Sequence, residues 1–84
     1  MKILKFQADW CQPCQTLSRL LENVKPRFPD IEFASIDVDE NSEMAHTYNI
    51  RSLPTLVLIN QGREVKRRAG CPTEQELIEF CQHA

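Results

Sequence analysis

The stretch "DWCQPCQT", Asp9–Thr16, places two cysteines two residues apart, directly after a tryptophan and on either side of a proline. What flanks it decides the fold. Before it, "KILKFQA", Lys2–Ala8, sets Leu4, Phe6 and Ala8 on one face and Ile3, Lys5 and Gln7 on the other, the period of a strand. After it, Leu17, Leu20, Leu21 and Val24 recur at i, i+3, i+4 and i+7, the stripe of an amphipathic helix. Pro13 suits the first turn of that helix, where a missing N–H costs nothing. Pro26 disfavours helix at Lys25 and should end or kink it. The cysteine pair therefore falls on a strand-to-helix junction.

Further along, "IEFASIDVD", Ile31–Asp39, alternates as a second strand, and "NSEMAHTYNI", Asn41–Ile50, reads as a short helix capped by Asn41 or Ser42. "TLVLI", Thr55–Ile59, is a buried strand, and "NQG", Asn60–Gly62, turns it into "REVKRRA", Arg63–Ala69. "TEQELIEFCQH", Thr73–His83, closes as a helix, with Thr73 and Glu76 forming a capping box. The order is β-α-β-α-β-β-α. An α/β fold follows: a four-stranded mixed sheet, parallel in its first half and a hairpin in its second, flanked by three helices.

Eighty-four residues predict one domain over 1–84, and 42% apolar content suits a folded core. A net charge of −2 gives no strong pull toward nucleic acid or an anionic membrane. The longest apolar run, Leu56–Ile59, is far too short to span a bilayer. "MKILKFQADW" lacks the apolar core and cleavage site of a signal peptide, so a cytoplasmic site is expected; a monomer is expected as well. In such a setting cysteines are reduced or catalytic rather than a structural scaffold.

Three readings of the pair compete. A static disulfide across so short a loop removes little chain entropy. A zinc site needs a second pair, and Cys71 and Cys81 are ten apart. The third reading is a redox dithiol. Cys11 at the helix start lies beside unpaired N–H groups and the positive end of the dipole, which favours thiolate. It is expected to be exposed, with Cys14 one turn on and more buried. Cys11 would attack a target disulfide and Cys14 would resolve the mixed disulfide, an intramolecular second step. "SLPT", Ser52–Thr55, adds a proline at the start of an apolar strand, consistent with a strand start, a sheet edge or a cis turn.

With these residues assembled, the chain resembles the thioredoxin family. "ADWCQPC" is similar to its active-site segment and "FASIDVDEN" to its third-strand segment. "YNIRSLPTLVLINQGREV" is similar to its cis-proline segment and hairpin, Gly70 to its glycine beside the site, and "QELIEF" to its last helix. The family's usual leading strand and helix are absent, as in a short version of glutaredoxin size. The resemblance implies a thioredoxin-like fold and protein disulfide reduction with no cofactor beyond the Cys11–Cys14 pair. It makes Cys11 the nucleophile, Cys14 the resolving thiol and Pro54 cis. Leu53 would offer backbone hydrogen bonds to an extended substrate. Trp10, Leu53, Ala69 and Gly70 would form an apolar docking surface. Partners would be disulfide-containing proteins, with a thioredoxin reductase or a glutathione system as electron donor.

Departures from the family fall at the tuning positions. Gln12 replaces a common glycine beside Pro13, Lys5 stands where a buried aspartate is usual, and Ser35 where a lysine accompanies it. Gln7 replaces an aromatic, and Arg19 a kinking proline. Lys5 has two readings: a surface lysine whose charge snorkels to water, or a charge that tunes Cys14. Asp9 is either a solvated loop acid or a proton acceptor through water. Arg63, Lys66, Arg67 and Arg68 read as a solvated strand face. Cys81 lies on the last helix's apolar stripe as a small core residue, and Cys71 beside Gly70 as either a bland or an oxidisable thiol. Two further functions compete with the oxidoreductase: a glutathione-dependent, glutaredoxin-like transferase, and a binding module in which redox chemistry is incidental. Trp10 and the single glycine of "RAGC" weigh against the former.

Overall fold

In the computed structural model, which describes residues 1–84, the alternation of Lys2–Gln7 becomes β1, with an apolar residue offered to each face of the sheet. The chain continues as α1 (Gln12–Val24), a 3-10 turn (Lys25–Arg27), β2 (Glu32–Asp37), α2 (Ser42–Thr47), β3 (Thr55–Asn60), β4 (Arg63–Ala69) and α3 (Glu74–Gln82). The sheet order is β2-β1-β3-β4. β1 runs parallel to β2 and antiparallel to β3, and β3 and β4 form the hairpin, with a register shift between Leu58 and Ile59. Element order, sheet type and helix number agree with the sequence reading.

The two faces of β1 bury different partners. Ile3 packs with Leu17, Leu21, Leu56, Leu58 and Leu77, so α1 and α3 cover one side. Leu4 and Phe6 pack with Val57 on the other, where Met44 and Tyr48 close over them. The Phe6 and Tyr48 rings lie 5.6 Å apart at 51°, a tilted aromatic pair.

Boundaries shift for local reasons. β2 stops at Asp37 rather than Asp39, because the Asp37 Oδ1 accepts from the N–H groups of Asp39 and Glu40 and turns the chain. α2 ends at Thr47, followed by Asn49 at φ 55°. Its expected side-chain cap is absent: the Asn41 amide donates instead to the Asp37 carbonyl. Pro26 ends α1 as expected, though the chain tightens into the 3-10 turn before leaving helix altogether. Gln61 and Gly62 both take positive φ, 54° and 79°, the geometry of a two-residue hairpin turn that follows the strand twist. The Thr73–Glu76 capping box forms on both sides, and the Thr73 N–H holds the Glu76 carboxyl below its usual range.

The basic cluster of β4 is more engaged than a solvated face. Arg67 holds Glu64 and donates to the Tyr48 carbonyl at 2.7 Å. Lys66 stands 4.6 Å over the Phe80 ring, and Arg68 pairs with Glu76 at 3.0 Å. Alternation along the strand sends these charges to opposite faces.

Leu17 is fully buried where α1 meets the sheet and α3. Leu17→Ala should lower the unfolding free energy by about 2–5 kcal/mol, and Thr73→Ala by about 1 kcal/mol. Urea titration followed by circular dichroism checks both; equal losses at the two positions would contradict this core assignment.

Candidate active site

β1 ends at Gln7, and a tight turn closed by the Cys11 N–H on the Ala8 carbonyl (3.1 Å) carries the chain into α1. Cys11 is the N-cap, with extended backbone (φ −92°, ψ 106°), and its sulfur accepts from the Cys14 N–H at 3.2 Å. A serine or aspartate normally supplies this capping acceptor; here the reactive atom supplies it. Cys11 and Cys14 form a disulfide, with their Cα atoms 5.3 Å apart.

Cys11 is not the exposed thiol that the sequence implied. It is 5% accessible against 2% for Cys14, because Ala8, Val38 and Leu53 pack around the pair. Trp10, 71% accessible, supplies the open surface beside it, and its indole N–H donates to the Asp39 carboxylate at 3.1 Å.

The Leu53–Pro54 peptide is cis, as the resemblance implied, and Pro54 is buried. The Gly70 N–H donates to the Pro54 carbonyl at 2.8 Å. Gly70 takes φ 83° to make that turn, a conformation suited to glycine. Ala69 pairs with Thr55 across the hairpin, so Leu53, Pro54, Ala69 and Gly70 come together. Trp10 and Leu53 share a shallow groove of about 240 Å³ with Val38, Ala45, Ile50 and Arg51. Gln12 and Pro13 lie exposed in the first turn of α1. Asp9 is an exposed loop acid, and its backbone carbonyl accepts from Gln15 at 3.4 Å.

Lys5 overturns the snorkelling reading. It is 3% accessible, on a strand paired along both edges and covered by α1, so its stem has no route to water. Its ammonium donates to the Ser18 hydroxyl, which donates to the Cys14 carbonyl at 3.1 Å. Burial, and behind it the charge of Lys25, lower the Lys5 pKa below 10.5.

Ser18 and Asp39 escaped the sequence reading. Ser18 stands four residues after Cys14, the spacing at which a helical serine bonds back to a carbonyl. Asp39 meets Trp10 from 29 residues away, with no local signal. Cys71 is exposed and Cys81 buried; burial pushes the Cys81 thiol up. No group of three or more His, Cys, Asp or Glu side chains converges to hold a metal ion.

Comparison with known proteins decides the family. The family model described as thioredoxin matches residues 1–83. The chain belongs to the thioredoxin family. It is 40% identical to the thioredoxin of Chlamydia pneumoniae over 75 residues, 89% of this chain and 74% of that one. It is 36% identical to that of Mycoplasma genitalium over 78 residues, 93% of this chain and 76% of that one. Among solved structures it is similar to Fasciola hepatica thioredoxin, with a TM-score of 0.91 at 36% identity, covering 98% of this chain and 78% of that one. A mutant thioredoxin from Halobacterium salinarum gives 0.90 at 38% identity, covering 98% and 72%. A paired C-x-x-C in a member of this family makes the chain a thiol–disulfide oxidoreductase.

The buried Lys5 generates a pH signature. Its folded pKa lies below its unfolded value, so between the two the unfolded chain binds more protons and stability rises with pH. Below the folded pKa both states are charged, and the full burial penalty remains. Urea midpoints of the oxidised protein should therefore climb as pH approaches 10.5. Lys5→Met should raise the midpoint at neutral pH and remove that climb. Parallel curves for the two proteins would count against a buried ammonium.

Proposed function

We propose that residues 1–84 act as one domain that reduces protein disulfides, with Cys11 as the attacking thiolate and Cys14 as the resolving thiol. The observation that carries this is the Cys11 sulfur capping α1. An acceptor at a helix N-terminus gains when it becomes an anion, since the Cys14 N–H and the helix dipole both favour negative charge there.

The Cys11 thiolate attacks a substrate disulfide. One substrate sulfur leaves as a thiolate and takes a proton from water. Cys14, as a thiolate, then attacks the Cys11 sulfur. The Cys11–Cys14 bond forms, the second substrate sulfur leaves, and two electrons have passed to the substrate. Trp10, Leu53, Ala69 and Gly70 form the surface on which the substrate chain lies, backed by the buried Pro54. No further cofactor is needed, since the dithiol itself carries the electrons.

A thioredoxin reductase is the proposed donor, in keeping with the family rather than with a glutathione transferase. The cytoplasm is the proposed site of action: an exposed, unpaired Cys71 suits a reducing compartment. The large exposed apolar residues are Met1, Trp10 and Val65; dispersed over the N-terminus, the active-site loop and β4, they make no patch of dimer size, and we assign a monomer.

Reduced protein treated briefly with iodoacetamide at neutral pH should be labelled first at Cys11. Cys14→Ser should trap insulin through Cys11, and turnover of insulin should occur with thioredoxin reductase and NADPH. Equal labelling of the two thiols, or trapping through Cys14 alone, would reverse the roles. Turnover only with glutathione and glutathione reductase would replace the donor.

A further inference from the structure

The mechanism above makes no use of Lys5, although a lysine buried in a central strand is costly and demands an account. What surrounds it is uneven. Its register partners are Ser35 on β2 and Leu56 on β3. α1 offers Ser18, and the apolar cluster on the face covered by α1 and α3 takes Leu77, Ile78 and Cys81 from α3. The other charge that bears on it is a second cation, Lys25. The protein's ion pairs join Lys2 to Glu32, Lys25 to Glu22, Arg67 to Glu64 and Arg68 to Glu76, and none includes Lys5. The ammonium thus has a hydroxyl for a neighbour and no anion.

An anion does arise nearby during the reaction. Opening the disulfide releases the sulfur of Cys14, a residue that is only 2% accessible in the closed form. Burial alone would keep that sulfur protonated and slow to attack. The hydrogen bonds Lys5 Nζ–H to Ser18 Oγ, and Ser18 Oγ–H to the Cys14 carbonyl, place a fixed cation one hydroxyl away from the Cys14 backbone. Donation from Lys5 occupies a lone pair of the Ser18 oxygen and leaves its proton for the Cys14 carbonyl, so the bonds reinforce each other.

We propose that Lys5, held by Ser18, is a positioning residue for the resolving step: its charge is the counter-ion of the Cys14 thiolate and biases the couple toward the dithiol. The proposal rests on Cys14 being the resolving thiol. The proton leaving Cys14 passes to solvent, Lys5 acts in its protonated form, and the electrons follow the path already given. A couple whose reduced form is stabilised is a weaker reductant and a more readily recharged one.

Three variants test this in the full chain: Lys5→Met, Lys5→Arg and Ser18→Ala. The first readout is the Cys14 pKa, from thiolate absorbance and alkylation mapping of the reduced protein. The second is the equilibrium with glutathione from about pH 6 to about pH 9.5, a range spanning the ordinary cysteine value of about 8.5. Lys5→Met should raise the Cys14 pKa by about one unit, the tenfold effect of losing one close charge. Its equilibrium should match the parent at the acid end and favour the protein disulfide by up to about tenfold at the alkaline end, or about 30 mV for a two-electron couple. Lys5→Arg should stay near the parent. Ser18→Ala should move both readouts in the Lys5→Met direction by a smaller factor.

Lys5→Met leaving both readouts unchanged would overturn the proposal. So would Lys5→Arg behaving as Lys5→Met, which would make shape rather than charge the cause. If arginine prevents folding, Ser18→Ala decides, and an unchanged Cys14 pKa there rejects the arrangement. The glutathione equilibrium does not register which thiol attacks first, whereas insulin trapping does, so failure of one proposal is distinguishable from failure of the other.

Discussion

The site is referred to β1, which like β3 is hydrogen-bonded along both edges and is buried on both faces. A strand so enclosed has no freedom of register, because a one-residue slip would exchange the residues meant for α1 and α3 with those meant for α2. Fixing β1 fixes the turn at Ala8 and hence the start of α1. The dithiol stands directly after this enclosed strand, beside the exposed Trp10.

That placement lets a single sulfur serve structure and chemistry together. The Cys11 Sγ satisfies a backbone donor that a helix start would otherwise leave open. Its chemistry does not require the helix to break, since the acceptor gains charge when the disulfide opens. The opposite end of the turn is managed by Ser18, which bonds back to Cys14. Both cysteines are thus held by the first turns of α1 itself, and the docking elements around Pro54 and Gly70 come from the far half of the chain.

The fold was readable because its signals are local. Alternation in Lys2–Ala8, the stripe from Leu17 to Val24, and the Thr73–Glu76 box each act within a few residues, and each appears where expected. Element ends were misjudged where a side chain intervened, as Asp37 does at the end of β2. In the site, the cysteine pair was legible from spacing and a cis Pro54 from resemblance; the disulfide and the cis peptide are both present, and Leu53 packs against the pair. The burial of Lys5 was not, since alternation marks a face and cannot say whether a helix seals it. The shielding of Cys11 arises from Val38 and Leu53, which reach it only through the folded sheet.

The groove beside Trp10 has two unlike walls. One belongs to the cis-proline segment, locked by the Gly70–Pro54 bond. The other is formed by Ala45 and Ile50, within and just after the six-residue α2, which lacks a side-chain cap and is tied to β4 through the Arg67 clasp on the Tyr48 carbonyl. Short, uncapped helices open locally at small cost while central strands open only with the whole protein. A chain lying in this cleft would therefore meet one wall fixed by the central hairpin and one built on a single short helical segment.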